Sequence, residues 1–196
     1  MLFSPNLQKG FTLIELLVSV AIFVVMTALL VAKYGNFNQS VLLTDLSYDI
    51  ALTIRTAQTY GVSVKLASTS GSFQYPYGVH FDAGSGNKTI QLFNDIYPAG
   101  NPDNQYESSQ NELVNAYAIK QGAYVYGVCK ATSGNTCSPQ PSGTLDIIFK
   151  RPDPSAIICV AGACDGTVGE IQLKGPDGST RTVIVLGNGQ ITVVNQ

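Results

Sequence analysis

From Phe11 to Ala32 the chain is apolar on every side, interrupted only by Thr12, Glu15, Ser19 and Thr27. At ~1.5 Å rise per residue, a helix of this length reaches about 33 Å, enough to cross a hydrocarbon core of about 30 Å. Beyond it, apolar residues recur every three or four positions at Leu42, Leu46, Ile50, Ile54 and Ala57, with Asp45, Asp49, Arg55 and Gln58 between them. That spacing predicts an amphipathic helical half that packs on the remaining chain. Gly35, Asn36 and Asn38 weaken the join and predict a kink near Gly35. Tyr60-Gly61 predicts the end of the helix, where glycine can take the left-handed capping conformation.

From Val62 onward, short apolar runs alternate with turn residues. VSVKL, YGVHF, TIQLF, AYVYGVC, TLDIIF, SAIICV, EIQLK, RTVIVL and QITVV read as strands. Lys174-Gly-Pro-Asp-Gly-Ser and Gly187-Asn-Gly carry hairpin turn chemistry, so the last three runs predict an antiparallel meander. Phe93 to Asn111 reads as a long polar loop. Four segments follow: 1–10, short and polar; 11–32, apolar; 33–60, amphipathic; and 61–196, a β-rich head. The fold class is α+β, a long helix packed on antiparallel sheet.

Composition adds an exported character. Charged residues make up only 12%, Gly is plentiful at 19, and Trp is absent. A net charge of -2 exerts no global pull on nucleic acid or anionic lipid. Cys129, Cys137, Cys159 and Cys164 form two local pairs in sequence. In an exported chain such a set reads first as disulfides, and the local pairing would close two short loops. Crossed pairings, free thiols and a zinc site stay open, although neither pair has the spacing of a zinc knuckle.

The stretch KGFTLIELLVSVAIF resembles the class III signal of type IV pilins and type II secretion pseudopilins. Gly10 stands at the position before cleavage, Phe11 at the residue that becomes N-terminal, and Glu15 at the fifth mature position. A secretory signal peptide is the rival reading, but no small-x-small cleavage site follows Ala32. The resemblance implies that prepilin peptidase removes 1–10 as a leader and methylates Phe11. It implies further that 11–32 anchors the subunit in the inner membrane before assembly, with the head periplasmic or extracellular. Partners would be other pilin or pseudopilin subunits and the inner-membrane assembly platform. An isolated carboxylate in hydrocarbon costs several kcal/mol, so Glu15 should be neutralised, paired or near the interface. A neighbouring subunit's new Phe11 amine is a fitting partner, which makes Glu15 an assembly residue.

RTAQTYGVSVKL, YGVHFD, LDIIFKRPD and the closing meander are similar in order to minor pseudopilins of the GspH/FimT type. Major filament subunits favour a proline about twenty residues into the mature chain; Ala32 stands there instead. Some relatives of this type bind DNA through clustered arginines. Here Arg181 and Lys174 form no cluster, and Lys150-Arg151 is the only adjacent basic pair. DNA uptake or surface adhesion by a filament-tip module is therefore the alternative reading.

No P-loop, H-E-x-x-H, dinucleotide fingerprint or G-x-S-x-G context with its own His and acid occurs, so no catalytic residue and no cofactor are expected. His80 alternates with apolar residues and reads as a half-exposed strand position. The tyrosines of the middle chain read as core and strand packing. Asp95, Asp103 and Glu107, with Asp82, are hard oxygen donors near flexible segments and so calcium candidates. Their spacing departs from the D-x-D-x-D-G pattern, and solvated loop carboxylates are the default expectation.

Overall fold

The computed structural model describes residues 10–63, 65–66, 75–84, 86–98, 102–132 and 137–195, with side chains apart from those of 33–39 and 195. The leader before Gly10 and the centre of the ATSGNT loop lie outside the described residues. Two compact units divide the chain, Met1–Asn38 and Gln39–Gln196. The helix α1 (Leu13–Val62) contributes to both and continues through Gly35 without a break in helical assignment.

Among the described residues of the first unit, α1 buries no face in a core. Leu13–Ala32 is long and apolar enough to cross a membrane. Leu13, Phe23, Leu29 and Leu30 are all exposed. The uniform apolarity of this half matches a helix whose surroundings, rather than one packed face, are apolar.

The second unit is built on the amphipathic half. Leu43, Leu46, Ile50, Ile54 and Ala57 are buried in one cluster with residues of both sheets. Leu43, rather than the expected Leu42, leads this face, and Leu42 is only half-buried. The helix also runs past Gly61 to Val62, so Gly61 is not its cap. A Cβ on Gly61 would lie 2.3 Å from the Phe149 carbonyl oxygen. Glycine is there because helix and strand backbones approach closely.

Ten strands follow among the described residues: β1 (Tyr77–Ala83), β2 (Thr89–Asn94), β3 (Leu113–Ala118), β4 (Tyr124–Ala131), β5 (Gly143–Phe149), β6 (Ala156–Val160), β7 (Ala163–Gly166), β8 (Val168–Lys174), β9 (Thr180–Leu186) and β10 (Ile191–Asn195). They form a six-stranded sheet of order β3-β2-β1-β5-β6-β7 and a four-stranded sheet of order β10-β9-β8-β4. Every pairing is antiparallel, including the expected closing meander β8-β9-β10. The fold is α+β, a long helix on antiparallel sheets. VSVKL is not a strand: Val62 closes the helix, Lys65 and Leu66 carry no strand structure, and Val64 lies outside the described residues. The strands β3 and β7 were not expected. Both are sheet-edge strands with little buried surface, so the alternation that marks a half-buried strand is weak in them.

Alternation along the six-stranded sheet sorts its side chains. Val79, Phe81, Leu145, Ile147, Phe149 and Ile158 join α1 in the main core. Phe93, Ile148 and Cys159 form a second cluster, with Tyr106 and Ile157 packed against it. Tyr106 belongs to the long polar loop, which therefore covers the sheet face away from the helix. The loop also contains a short 3-10 turn, Ser108–Gln110.

Polar contacts fix the helix to the strand connections. Gln58 Nε2 donates to the carbonyls of Pro154, at 3.0 Å, and Gly189, at 3.1 Å. Gly189 has φ +85°, and a Cβ there would lie 2.3 Å from the Pro154 oxygen and 2.5 Å from Gln58 Nε2. Gly178 has a similar φ of +84° but open space around its Cα. Gly189→Ala should therefore lower the thermal midpoint of the head by about 4 °C or more, while Gly178→Ala costs about half as much. Near-UV circular dichroism melts of the full-length protein in detergent test this. Equal shifts would show that backbone strain alone, without the Gln58 contact, governs both sites.

Candidate functional site

Two places in the chain carry candidate function, one in each compact unit. At the N-terminus, α1 begins with Thr12 at the capping position and Glu15 in its first turn. Thr12 N–H donates to Glu15 Oε2 at 3.1 Å, and the Thr12 hydroxyl donates to the same oxygen at 2.9 Å. Glu15 N–H in turn lies 3.3 Å from Thr12 Oγ1. This is a reciprocal capping box, T-x-x-E, which satisfies helix donors that otherwise have no partner. Glu15 thus has a local task besides the pairing with a neighbouring amine expected of it, and the T-L-I-E spacing was the available signal. Its carboxylate remains exposed, as does Phe11 at 76%. Phe11, Ile14, Glu15, Val18, Ser19 and Ile22 line one open helical face. Gly10 has nothing within 4 Å of where a Cβ would stand.

The four cysteines pair locally. Cys129 bonds to Cys137, with Cα atoms 6.1 Å apart, and Cys159 bonds to Cys164, with Cα atoms 4.0 Å apart. No free cysteine remains among the described residues. Cys159 lies in the second hydrophobic cluster, and its bond to Cys164 straddles the β6–β7 turn. Lys130 reaches across to Asp165 and the Ala163 carbonyl, tying β4 to β7.

The long loop assembles the second candidate site. Glu112, which sequence reading passed over, organises it. Its Oε1 accepts the N–H groups of Ile96, at 3.0 Å, and Tyr97, at 2.9 Å, and its Oε2 accepts the N–H of Glu107 at 2.9 Å. A lone acid between a loop and an edge strand gives no sequence signal, because its partners are backbone groups. Asp95 is fully buried, with Oδ2 accepting the Asn104 N–H at 2.9 Å. Burial, reinforced by the charges of Glu112 and Asp103, pushes the Asp95 carboxyl up to about 7. Burial first, and then Glu112 and Asp103, push the Glu107 carboxyl up as well. Asp103 Oδ1 caps the loop locally by accepting the Gln105 N–H at 3.1 Å. The three calcium candidates Asp95, Asp103 and Glu107 are therefore drawn into one electrostatic cluster, and the expectation of solvated loop carboxylates fails for Asp95. Asp82 lies apart on β1, half-buried.

His80 is also more engaged than a half-exposed strand residue. Its Nδ1 lies 2.7 Å from Asp146 Oδ1, and its ring sits 5.1 Å from that of Tyr106. The Asp146 carboxyl is raised by burial and held back by this contact with His80. Two of the cations considered for DNA, Arg181 and Lys174, are engaged within the head. Arg181 donates to the Thr180 carbonyl and to Ser40 Oγ, and Lys174 lies over the Tyr126 ring.

Glu112→Ala would strand three backbone donors at one stroke. We expect a stability loss of about 2–3 kcal/mol and faster amide hydrogen exchange at Ile96, Tyr97 and Glu107. Exchange unchanged at these three amides would show that the carboxylate does not hold the loop.

The prokaryotic N-terminal methylation motif matches residues 5–31, spanning Gly10, Phe11 and Glu15. No curated protein and no solved structure matches the chain. Taken with the apolar half of α1, the motif supports a type IV pilin-like protein, made as a membrane-anchored precursor and processed by a prepilin peptidase.

Proposed function

We propose that this chain is a minor structural subunit of a type IV pilus or type II secretion pseudopilus. The observation that carries this reading is the methylation motif placed directly on an apolar helix that continues into the core of the head. Prepilin peptidase cuts between Gly10 and Phe11, removes residues 1–10, and methylates the new Phe11 amine. Residues 11–32 hold the subunit in the inner membrane, with the head on the far side, until an assembly platform moves it into a filament. There the exposed apolar side chains exchange lipid for the corresponding helices of other subunits. The long helix, two antiparallel sheets and closing meander favour a place among the GspH/FimT-type minor pseudopilins.

Glu15 has two partners in this scheme. In the precursor its carboxylate closes the Thr12 capping box. In the filament a neighbour's Phe11 amine competes for the same oxygen atoms, and a charged partner is the stronger one. No observation favours the DNA-binding alternative, since Arg181 is held within the head and removal of Lys9 makes the mature chain more acidic. The motif supports a structural protein rather than an enzyme.

In cells with an active assembly system, Gly10→Val should leave the full-length precursor uncut and absent from sheared filaments. Glu15→Ala should be cut normally yet enter filaments poorly. Immunoblots of membrane and filament fractions read both. Normal filament incorporation of Glu15→Ala would remove the charge pair from the account, and normal processing of Gly10→Val would remove the cleavage site.

A further inference from the structure

We propose that the outer edge of β3, with the groove between it and α1, is a docking site for an extended, positively charged segment of another polypeptide, which adds to the six-stranded sheet as a further strand. β3 borders that sheet, and among the described residues no strand lies on its outer side. Such an edge presents backbone N–H and C=O groups ready to pair, and proteins commonly guard it with lysine or proline. The β3 sequence, LVNAYA, has neither, nor any other charge, and its Leu113 is exposed. The opposite edge, β7, is guarded. It is four residues long, carries Asp165 bound to Lys130, and is held by the Cys159–Cys164 disulfide.

Beside this edge, α1 and β3 flank a groove of about 410 Å³, lined on the helix by Asp45, Leu46 and Asp49 and on the strand by Ala116, Tyr117 and Ala118. A smaller hollow of about 100 Å³ is lined by Thr53 and Thr56 of α1 and by the buried Ile90 and Leu92 of β2. Tyr117 lines both, and its hydroxyl donates to Asp49 Oδ2 at 2.7 Å. The two hollows thus follow one another on the helix side of the sheet, as alternate side chains of an added strand would. Strand addition takes its affinity from backbone bonds and its selectivity from pockets of this kind. Charge names the occupant. Asp45 and Asp49 make no ion pair among the described residues, and Lys120, which also lines the groove, pairs with neither. An arginine or lysine of the guest would lay its stem against Leu46 and bring its charge to both carboxylates. The smaller hollow suits a small apolar side chain such as valine. A second copy of β3 is a poor guest, because LVNAYA carries no cation to meet the acids.

A fluorescent peptide, Arg-Thr-Val-Thr-Arg-Thr-Val, tests the site by anisotropy on full-length protein in a zwitterionic detergent. As a strand it places arginine and valine on one face and threonine on the other. We expect saturable binding. Replacing both arginines by glutamate, or methylating the backbone nitrogens of the peptide, should each weaken it by about tenfold or more, because the first removes the charges and the second the strand donors. The double variant Asp45→Asn with Asp49→Asn should weaken it as much, whereas Asp153→Asn, an exposed acid bonded only to Ser155, should leave it intact. Bound peptide should also slow amide exchange along Leu113–Ala118, a reading that needs no variant to fold. Equal binding of the N-methylated peptide would reduce the contact to charge alone and overturn strand addition. Equal binding of the glutamate peptide, or full binding to the double variant, would overturn the proposal as well. So would self-association through β3, seen by sedimentation with no peptide bound, which would make a second copy the occupant. None of these readings depends on leader cleavage or filament assembly.

Discussion

The constraint on which the molecule depends is that one continuous helix has two incompatible solvents. Between Leu43 and Ala57 it must present a single apolar face to two sheets, and it does so with 0% exposure at Ile50, Ile54 and Ala57. Between Leu13 and Ala32 it is apolar all round and has no such face. A helix in water cannot hold both halves, because the first would leave a large contiguous apolar surface exposed. Lipid, or other helices of the same kind, is the physical complement of that half. The chemistry at its start is consistent with either, since the Thr12–Glu15 box settles the helix's first donors locally.

The head follows from the amphipathic half. Its apolar face fixes which side of each sheet turns inward, and period-two alternation then consigns His80, Asp146 and Phe93 to the opposite side of the six-stranded sheet. That outer face is itself partly apolar, so it needs a cover, and the 95–112 loop provides one through Tyr106. A loop lying on a sheet must satisfy its own backbone, which is the task of Glu112. Polar groups buried this way are what concentrate carboxylates at one spot. The acid cluster is thus a consequence of covering the second face without a second helix.

Much of this was legible in the residues. Glu15 after Gly10 and Phe11 gave the processing motif, and the Leu46–Ile50–Ile54–Ala57 spacing gave the buried helical face. GPDGS and GNG marked the closing hairpins because turn chemistry is local. What escaped reading depended on distant backbone. Gly61 looked like a helix cap, but it is small because the Phe149 carbonyl lies against it. Strand β3 lacked clear alternation because it is an exposed edge, and β7 is only four residues long. Glu112 was silent because its three donors come from Ile96, Tyr97 and Glu107, none of which advertises a partner in sequence. Asp95 looked like a loop acid, and only the folded loop reveals its burial.

The proposed role requires the N-terminal motif to be a working cleavage and assembly signal on this chain. Intact-mass spectrometry, with fragmentation of the N-terminal peptide, tests it most directly on protein taken from cells that contain an active prepilin peptidase. The expected chain begins at Phe11, carries one methyl group on its amine, and keeps both disulfides. A chain that still begins at Met1 in those cells would contradict it.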